Sequence, residues 1–555
     1  MDRRRFLELG AALGGGLLAG DPGRVAEAAS AAGTRPWFEL SIAELQALMA
    51  SGPLTSWWLT LAYLVRIVQL NPSLGAVIEY DVGALSTANA LDQERQSGHV
   101  RGPLHGIPVL VKDNIAIAGT LQTTAGSLAL VGSTVPGDAA LVTRLRAAGA
   151  VIVGKANLSE WAGFRGLSSP AGWSARGGFT RNPYLLGATP GGSSSGSAVA
   201  AAAGLCTAAV GTETNGSIVG PAGDNMVVGV KPTVGLVSQS GLIPIGASQD
   251  TAGPLARTVM DAAILLGALQ SPFGAVAGQP LPADYTTFLR RGALAGARIG
   301  VDRRYFDPAY GGEADITNVV EQALDVMEGL GATVVDTDTG DPVALYVPEI
   351  TLILYEFKVG IGAYLAGLVR TPVRTLDDLI AFDRANCAAE MRYFGQEYFE
   401  AADATSGDLT DPAYLAARAE CLQLARTQGI DAALERDQLD AIVAPCNTLA
   451  STPAAVAGYP SLSVPCGRTA QGLPVGLWIY GGFLQEPKLL ALAYDFEQEV
   501  QARVVPGLLG SPPQPPPDAG LCGVAPARTA GGQILYLGNG KALPPSWPPP
   551  PAVER

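Results

Sequence analysis

The sequence predicts an α/β protein in which buried strands alternate with helices. Two short apolar runs, residues 107–111 and 150–154, are bounded by proline, aspartate or glycine, which is typical of strands buried on both faces. Between them, residues 138–148 have the apolar spacing of an amphipathic helix that ends at Gly149. Alternation of this kind is typical of α/β architectures.

The same pattern continues through residues 37–503, which we interpret as one globular unit. Apolar spacing predicts helices over residues 42–49 and 59–69, and residues 207–210 have the composition of a further strand. Residues 275–440 are richer in helix signals and in aromatic residues. We expect this region to form a helical cover beside the sheet, with most aromatic rings in its core and a few in a pocket.

Both ends of the chain differ from this unit in composition. Residues 1–28 combine arginines at positions 3–5, a short apolar stretch and small residues at A-x-A spacing, which predicts an export signal of the twin-arginine type. The apolar stretch is too short for a stable membrane span. Residues 504–555 contain proline runs that favour extended backbone, so we expect a proline-rich tail. The export machinery is therefore an expected partner, and the expected location is periplasmic or extracellular.

Composition argues against several classes of partner and site. The net charge of −14 repels phosphate backbones, so we expect no nucleic acid partner. The six cysteines form no C-x-x-C pair and the chain has only two histidines, so we expect no metal site. Most thiols are expected to be buried and free, and Cys446 and Cys466 are candidates for a disulfide.

Two glycine- and serine-rich stretches carry the strongest functional signal. Residues 191–198 read GGSSSGSA and residues 211–218 read GTETNGSI. The first stretch runs into an alanine-rich helix, which argues against a flexible linker, and it lacks the Gly-Lys of a phosphate-binding loop. We therefore interpret Ser193 as part of a serine-lined turn in the core.

Three lysines lie in or beside apolar segments. Lys112 ends the strand predicted at 107–111, so we expect a desolvated amine with a lowered pKa, able to act as a base. The alternative is a salt bridge to Asp113. For Lys155 and Lys231 the plain interpretation is a solvated or structural amine.

Ser217 lies where a polar turn leads into a predicted short helix. Backbone N–H groups at such a position have no partner within the helix, so those of Thr214, Asn215, Gly216 and Ser217 are candidate oxyanion donors. Ser217 is the candidate nucleophile, and a plain helix cap is the alternative interpretation.

Taken together, these segments resemble the amidase signature family. The resemblance covers most of residues 60–500 and follows an ordered set of motifs: LHGIP and KDN within 104–114, GKAN at 154–157, the two serine stretches, VKPTVGL at 230–236, DTAGP at 250–254, DAIVAP at 440–445 and GYPSLSVP at 458–465.

The resemblance implies a large mixed central sheet with helices on both sides. It also implies a triad in which Ser217 is the nucleophile, Ser193 is the bridging serine and Lys112 is the base, with a cis peptide bond immediately before Ser193. Such a site hydrolyses carboxamides to an acid and ammonia, needs no cofactor or metal, and is expected to work best at neutral to alkaline pH.

Segments 157–166 and 172–178 are most similar to bacterial peptide amidases, which remove the C-terminal amide of peptides. Asn215 and Gly220 depart from that pattern, and Val219 and Gly220 stand where many members carry an arginine. We expect a small-molecule or peptide amide substrate, specifically C-terminal carboxamides of peptides or N-acyl amino acids, and a monomer or homodimer. The alternatives are a broad aryl or aliphatic amidase and the glutaminase subunit of a tRNA-dependent amidotransferase.

Overall fold

A mixed sheet of eleven strands forms the centre of the fold in the computed structural model, which describes residues 35–271, 276 and 278–522. The strands of this part of the chain are β1 Val77–Tyr80, β2 Pro108–Lys112, β3 Val151–Ala156, β4 Trp173–Ser174, β5 Gly178–Phe179, β6 Ala208–Glu213, β7 Val228–Lys231, β8 Thr251–Ala256, β9 Arg298–Val301, β10 Thr333–Asp336, β11 Ala441–Pro445, β12 Ser461–Arg468 and β13 Pro474–Tyr480.

The order along the large sheet is β1-β3-β2-β6-β8-β7-β12-β13-β11-β9-β10, and β4 pairs separately with β5. Strand β2 is parallel to β3 and β6, and β9 is parallel to β10 and β11. The other neighbouring pairs are antiparallel. The predicted α/β class and the mixed sheet are therefore confirmed.

Helices cover both faces of this sheet. The α-helices of the described residues are Ile42–Ser51, Ser56–Leu74, Ala84–Gln96, Ala140–Ala147, Ser195–Ala202, Val219–Asp224, Val259–Leu269, Ala314–Gly329, Tyr346–Gly367, Leu376–Ala385, Cys387–Glu390, Glu397–Asp403, Pro412–Leu422, Asp431–Arg436, Ser451–Ala457 and Glu486–Val500. A π-helical segment, Gln423–Ile430, joins two of them. The predicted boundaries at the two N-terminal helices and at β2 and β3 fall within a few residues of those observed.

Local sequence explains where the first helices begin and end. Ser41 and Glu44 form a capping box at the start of the helix Ile42–Ser51, because each side chain bonds the other's backbone N–H. Thr55 caps the helix Ser56–Leu74, and the left-handed Gly75 ends it.

The two faces of the sheet bury separate clusters of apolar side chains. On β2, Val109 and Val111 belong to the cluster shared with the helices Val259–Leu269 and Glu486–Val500. Leu110, between them, belongs to the cluster shared with the helix Ser195–Ala202. Because successive side chains of a strand point to opposite faces, this alternation shows a sheet that is covered on both sides.

A third cluster joins the helices Tyr346–Gly367, Leu376–Ala385 and Glu397–Asp403 into a cover beside the sheet. The helical cover expected over residues 275–440 is therefore only part of that region, since β9 and β10 belong to the sheet itself. In the described part of the chain, Tyr346–Gly367 alone has the length and apolar composition of a membrane-spanning helix. Its residues Ile353, Phe357 and Ile361 are buried in this cluster.

Residues 503–522, which include the first part of the predicted tail, lie against the domain. Leu508 N–H donates to Pro183 O at 2.9 Å, and Tyr184 Oη donates to Val504 O at 2.8 Å. Cys522 forms a disulfide with Cys387 in the helical cover. The predicted export signal lies outside the described residues.

The candidate disulfide between Cys446 and Cys466 is not formed. Both thiols are free and buried: Cys466 lies in β12, Cys446 directly follows β11, and β13 separates these two strands. Cys446 Sγ accepts a hydrogen bond from Gly476 N–H, and Cys466 Sγ donates to Val475 O, each at 3.4 Å. Burial raises the pKa of the Cys446 thiol to about 12, so this group is inert at ordinary pH.

Candidate active site

The fold brings the three candidate triad residues to the same region of the sheet. Lys112 is the last residue of β2, and its neighbour β6 leads into the turn that carries Ser217. Ser193 lies in the loop before the helix Ser195–Ala202, whose side chains pack against β6 and β2. Residues that are about 80 to 100 positions apart in the chain thus meet where two parallel strands end.

Lys112 is fully buried and its amine lies among oxygen atoms of uncharged groups. Nζ donates to Ser193 Oγ at 2.7 Å, to Ser194 Oγ at 3.0 Å and to Thr212 O at 3.1 Å. Burial lowers the pKa of the amine to about 7, although the more distant carboxylates of Glu213 and Asp250 raise it. The alternative salt bridge to Asp113 is not formed.

The loop that holds Ser193 is buried and bonded on both sides. Ser193 is 3% exposed, and the peptide bond between Gly192 and Ser193 is cis. Ser193 O accepts from Ser159 N–H at 3.1 Å, and Ser194 N–H donates to Ser217 O at 3.2 Å. The second of these bonds ties the two serine stretches together at the backbone.

Gly216 and Glu213 shape the turn before Ser217. Gly216 has φ +75°, a left-handed conformation that favours glycine. Glu213 Oε2 accepts from the N–H groups of Ile218 at 2.7 Å and Val219 at 3.1 Å, which satisfies the start of the helix Val219–Asp224.

The backbone N–H groups ahead of this helix start remain available. Those of Asn215, Gly216 and Ser217 donate to no acceptor within residues 35–271, 276 and 278–522. Thr214 Oγ1 donates to Asp250 Oδ1 at 2.5 Å, and this bond holds the beginning of the turn. Three consecutive unpaired donors beside a serine are suited to a developing oxyanion.

Ser193 and Ser217 open onto one cavity of about 180 Å³. Its polar wall also includes Thr214 and Asn215, so the candidate residues other than the buried Lys112 and the turn residue Gly216 line it. Apolar and aromatic residues form much of the remaining wall: Ala162, Phe164, Leu167, Ile245, Tyr346, Ile350, Ile353 and Tyr398. Ser159, Ser169 and Glu349 add further polar groups.

Of the three aromatic residues in the peptide amidase-like segments 157–166 and 172–178, namely Trp161, Phe164 and Trp173, Phe164 lines this cavity. Trp161 packs edge-to-face on Phe399 with ring centroids 5.5 Å apart, and Trp173 packs against Tyr393 at 5.2 Å. The two tryptophans therefore pack in the interior of the cover.

The sequence did not single out Ser194 or Glu349. Ser194 Oγ is an additional partner of the Lys112 amine and also donates to Thr212 O at 2.9 Å. Glu349 enters the cavity from the first turn of the helix Tyr346–Gly367. An acidic residue amid the apolar sequence YVPEITLIL was the available signal for Glu349, but its partners lie about 100 positions or more away.

Lys155 and Lys231 are buried rather than solvated, which corrects one of the two interpretations of these amines. Lys155 lies 3.7 Å from Asp113 Oδ1 and donates to Thr123 Oγ1 at 3.0 Å. Lys231 Nζ donates to Pro232 O at 3.3 Å. Burial lowers the pKa of each amine to about 8. Both lysines are structural, since neither amine bonds Ser193 or Ser217.

Comparison with known proteins identifies the family. Residues 58–452 match the model of the Amidase family, and the chain belongs to this family, the amidase signature enzymes. It is therefore a hydrolase that acts on amides. A probable amidase of Arabidopsis thaliana is 42% identical over 84% of this chain and 91% of its own length.

Solved structures agree with this assignment. The peptide amidase PAM, determined in complex with the competitive inhibitor chymostatin, is 50% identical, with a TM-score of 0.81 over 85% of this chain and 100% of that chain. The native peptide amidase of Stenotrophomonas maltophilia is also 50% identical, with a TM-score of 0.80 over 85% of this chain and 99% of that one. A relative from Myxococcus xanthus, one subunit of a glutamyl-tRNA(Gln) amidotransferase, is 35% identical over 83% of this chain and 97% of its own length.

Proposed function

We propose that the protein is an exported serine amidohydrolase that converts C-terminal carboxamides of peptides or N-acyl amino acids to the free acid and ammonia. The main support is the hydrogen bond between Lys112 Nζ and Ser193 Oγ at 2.7 Å. Ser193 and Ser217 line the same cavity. A buried amine with a pKa of about 7 is matched to proton transfer at neutral pH.

In the proposed mechanism, neutral Lys112 accepts a proton from Ser193 while Ser193 takes the proton of Ser217. Ser217 Oγ attacks the carboxamide carbon, and the N–H groups of Asn215, Gly216 and Ser217 stabilise the oxyanion. The proton returns to the amide nitrogen, the C–N bond breaks and ammonia leaves. Water then attacks the acyl-enzyme ester through the same relay and releases the acid and Ser217.

The substrate class is supported by the relatives and by the cavity. The PAM structure matches at 50% identity over the whole of that chain, whereas the amidotransferase relative matches at 35%. The apolar and aromatic part of the cavity wall suits an amino acid side chain next to the scissile amide. The competing functions are those of a broad amidase and of a glutaminase subunit.

Export is supported by the disulfide between Cys387 and Cys522, because such bonds persist mainly in oxidising compartments. N-terminal sequencing of the protein secreted by the native host checks this part of the proposal. We expect the mature chain to begin near residue 28, and a secreted chain that still begins at Met1 would contradict a cleaved signal.

The central test is ammonia release by the purified mature chain from a blocked dipeptide amide, compared with a simple aliphatic amide. We expect fast release from the dipeptide amide alone, and a loss of about 10³-fold or more in Ser217→Ala. Ser240→Ala, at an exposed serine outside the cavity, is the matched control and should keep full activity. Equal release from both amides would favour a broad amidase, and release only with a co-purified partner subunit would favour the amidotransferase.

A further inference from the structure

A buried carboxyl group in the wall of the cavity has no role in the triad. Glu349 lies in the first turn of the helix Tyr346–Gly367, is 7% exposed, and shares the cavity with Ser193 and Ser217. Among the described residues no lysine, arginine or histidine forms an ion pair with it. Burying a carboxylate is costly, so a carboxyl group kept in this position calls for a function.

The hydrogen bonds of Glu349 all fall on one of its two oxygens. Oε1 accepts from Asn215 Nδ2 at 2.9 Å and from Gln249 Nε2 at 2.8 Å. In the described part of the chain no donor reaches Oε2, and the cavity is the open space beside the side chain. The second oxygen is therefore left for a ligand.

The surrounding bonds fix this orientation. Asn215 Oδ1 accepts from Ser451 Oγ at 2.8 Å, which directs the amide N–H₂ of Asn215 toward Glu349. Gln249 Nε2 also donates to Thr214 O at 3.2 Å. Glu349 is thus attached, through Asn215 and Gln249, to the turn that holds Ser217, and its position relative to the scissile carbonyl is set.

We propose that Glu349 is a specificity-determining residue, whose Oε2 accepts a hydrogen bond from the N–H on the α-carbon that bears the scissile carboxamide. This inference rests on the proposed function and narrows its substrate class to α-amino and α-acylamino carboxamides. Peptide amides and N-acyl amino acid amides carry this N–H, whereas simple aliphatic and aryl amides lack it.

Two hydrogen bonds to Glu349 favour its accepting form. Burial raises the pKa of the carboxyl group, and the amide N–H donors of Asn215 and Gln249 on Oε1 oppose this rise by stabilising the ionised form. An ionised carboxylate only accepts hydrogen bonds, and a bond to a charged group discriminates more strongly than a neutral one.

The test compares N-acetyl-phenylalaninamide with its ester isostere, in which an oxygen atom replaces the α-nitrogen and its hydrogen. We expect the wild-type kcat/KM to be about 30-fold higher for the N–H substrate. In Glu349→Gln the side-chain oxygen keeps the donors from Asn215 and Gln249, so the new N–H₂ faces the cavity. We expect the ratio of the two kcat/KM values to fall to about 1.

The ratio is measured on one preparation of each variant, so a partly folded sample does not change it. Ile353→Val, at an apolar position of the same cavity, should change both constants by the same factor and keep the ratio. A ratio near 1 in the wild type, or an unchanged ratio in Glu349→Gln, overturns the role of Glu349 but leaves the amidase function intact. Hydrolysis that does not depend on Ser217 overturns both proposals.

Discussion

Two fully buried lysines on adjacent strands occupy opposite environments. Lys112 ends β2 and Lys155 lies in the parallel strand β3, where it pairs with Val111, while Lys112 pairs with Ala156. Because side chains alternate along a strand, this offset of one position sends the two amines to opposite faces of the sheet. Residue type and burial are the same, and only the neighbouring groups differ.

The neighbours decide what each amine does. Lys112 meets two hydroxyl groups and a carbonyl, none of which carries a charge, and its pKa falls to about 7. Lys155 Nζ donates to Ile115 O and to Thr123 Oγ1, and it also lies 3.7 Å from the carboxylate of Asp113, which opposes the effect of burial; its pKa is lowered to about 8. The difference between the two sites is therefore this nearby carboxylate, which favours the charged form of Lys155, whereas the Lys112 amine is bonded only to uncharged groups.

The largest expected effect follows from removing the amine that contacts Ser193. Lys112→Met should lower kcat by about 10³-fold, because no other base reaches the Ser193 hydroxyl in the described part of the chain. The free energy of unfolding should stay the same or rise by about 1 kcal/mol, since an amine without a carboxylate partner leaves the core. Single-turnover ammonia release measures the loss of kcat, and urea denaturation measures the unfolding free energy. A Lys112→Met variant that is unstable as well as inactive would contradict the difference proposed between Lys112 and Lys155.

Lys155→Met should show the opposite pattern. The substitution leaves Asp113 buried with Arg176 Nη1 3.4 Å away as its remaining cation, so we expect a loss of about 3 kcal/mol in unfolding free energy. The kcat of the folded molecules should change by less than about threefold, because the Lys155 amine bonds neither Ser193 nor Ser217. Chemical denaturation, with activity normalised to folded protein, checks both numbers, and a large drop in normalised kcat would give Lys155 a role in the reaction.

The pH dependence of kcat/KM tests which of the two amines is the base. The proposed base is active when neutral, so kcat/KM should rise about tenfold between pH 6 and pH 8 as Lys112 loses its proton near pH 7. In Lys155→Met, this rise in kcat/KM should occur at the same pH as in the wild type. Asp250→Asn removes a carboxylate that raises the pKa of Lys112, so the rise in kcat/KM should move to lower pH. A flat profile from pH 5 to 9 would contradict Lys112 as the base.

The sequence predicted much of the contrast on the Lys112 side. A lysine at the end of an apolar run indicates burial, and the alternation of apolar runs with helices indicates the α/β class, whereas the meeting of Lys112 with Ser193 was implied by the resemblance to the amidase signature family. The environment of Lys155 was not, because its partners Asp113 and Thr123 come from a loop after another strand. Local sequence patterns indicate which residues are buried, but they do not indicate the register in which one strand pairs with the next.

The residues of the cavity also divide into those that local sequence could predict and those that it could not. Ser217 and the N–H groups of its turn lie in one short segment, so their arrangement follows from local geometry. Glu349 reaches Asn215 across 134 positions and Gln249 across 100, from a helix whose sequence is otherwise apolar. The candidate disulfide failed for the same reason, since Cys387 pairs with Cys522 at a separation of 135 positions. Long-range packing determined each of these contacts.

The smallest expected effect tests whether Lys155 is held by charge or by packing. In Lys155→Met, a second change, Asp113→Asn, removes the carboxylate left without its nearest amine. The amide oxygen introduced at this position can still accept from the Thr124 hydroxyl and the Gly126 N–H, which now bond Asp113 Oδ2 at 2.5 Å and 3.2 Å. We therefore expect the double variant to regain about 1 kcal/mol relative to Lys155→Met, as measured by urea denaturation in a double-mutant cycle. Additive losses of unfolding free energy would mean that Lys155 and Asp113 contribute independently through packing. The carboxylate would then not distinguish the two lysine sites, and contact with Ser193 would be the remaining difference between Lys112 and Lys155.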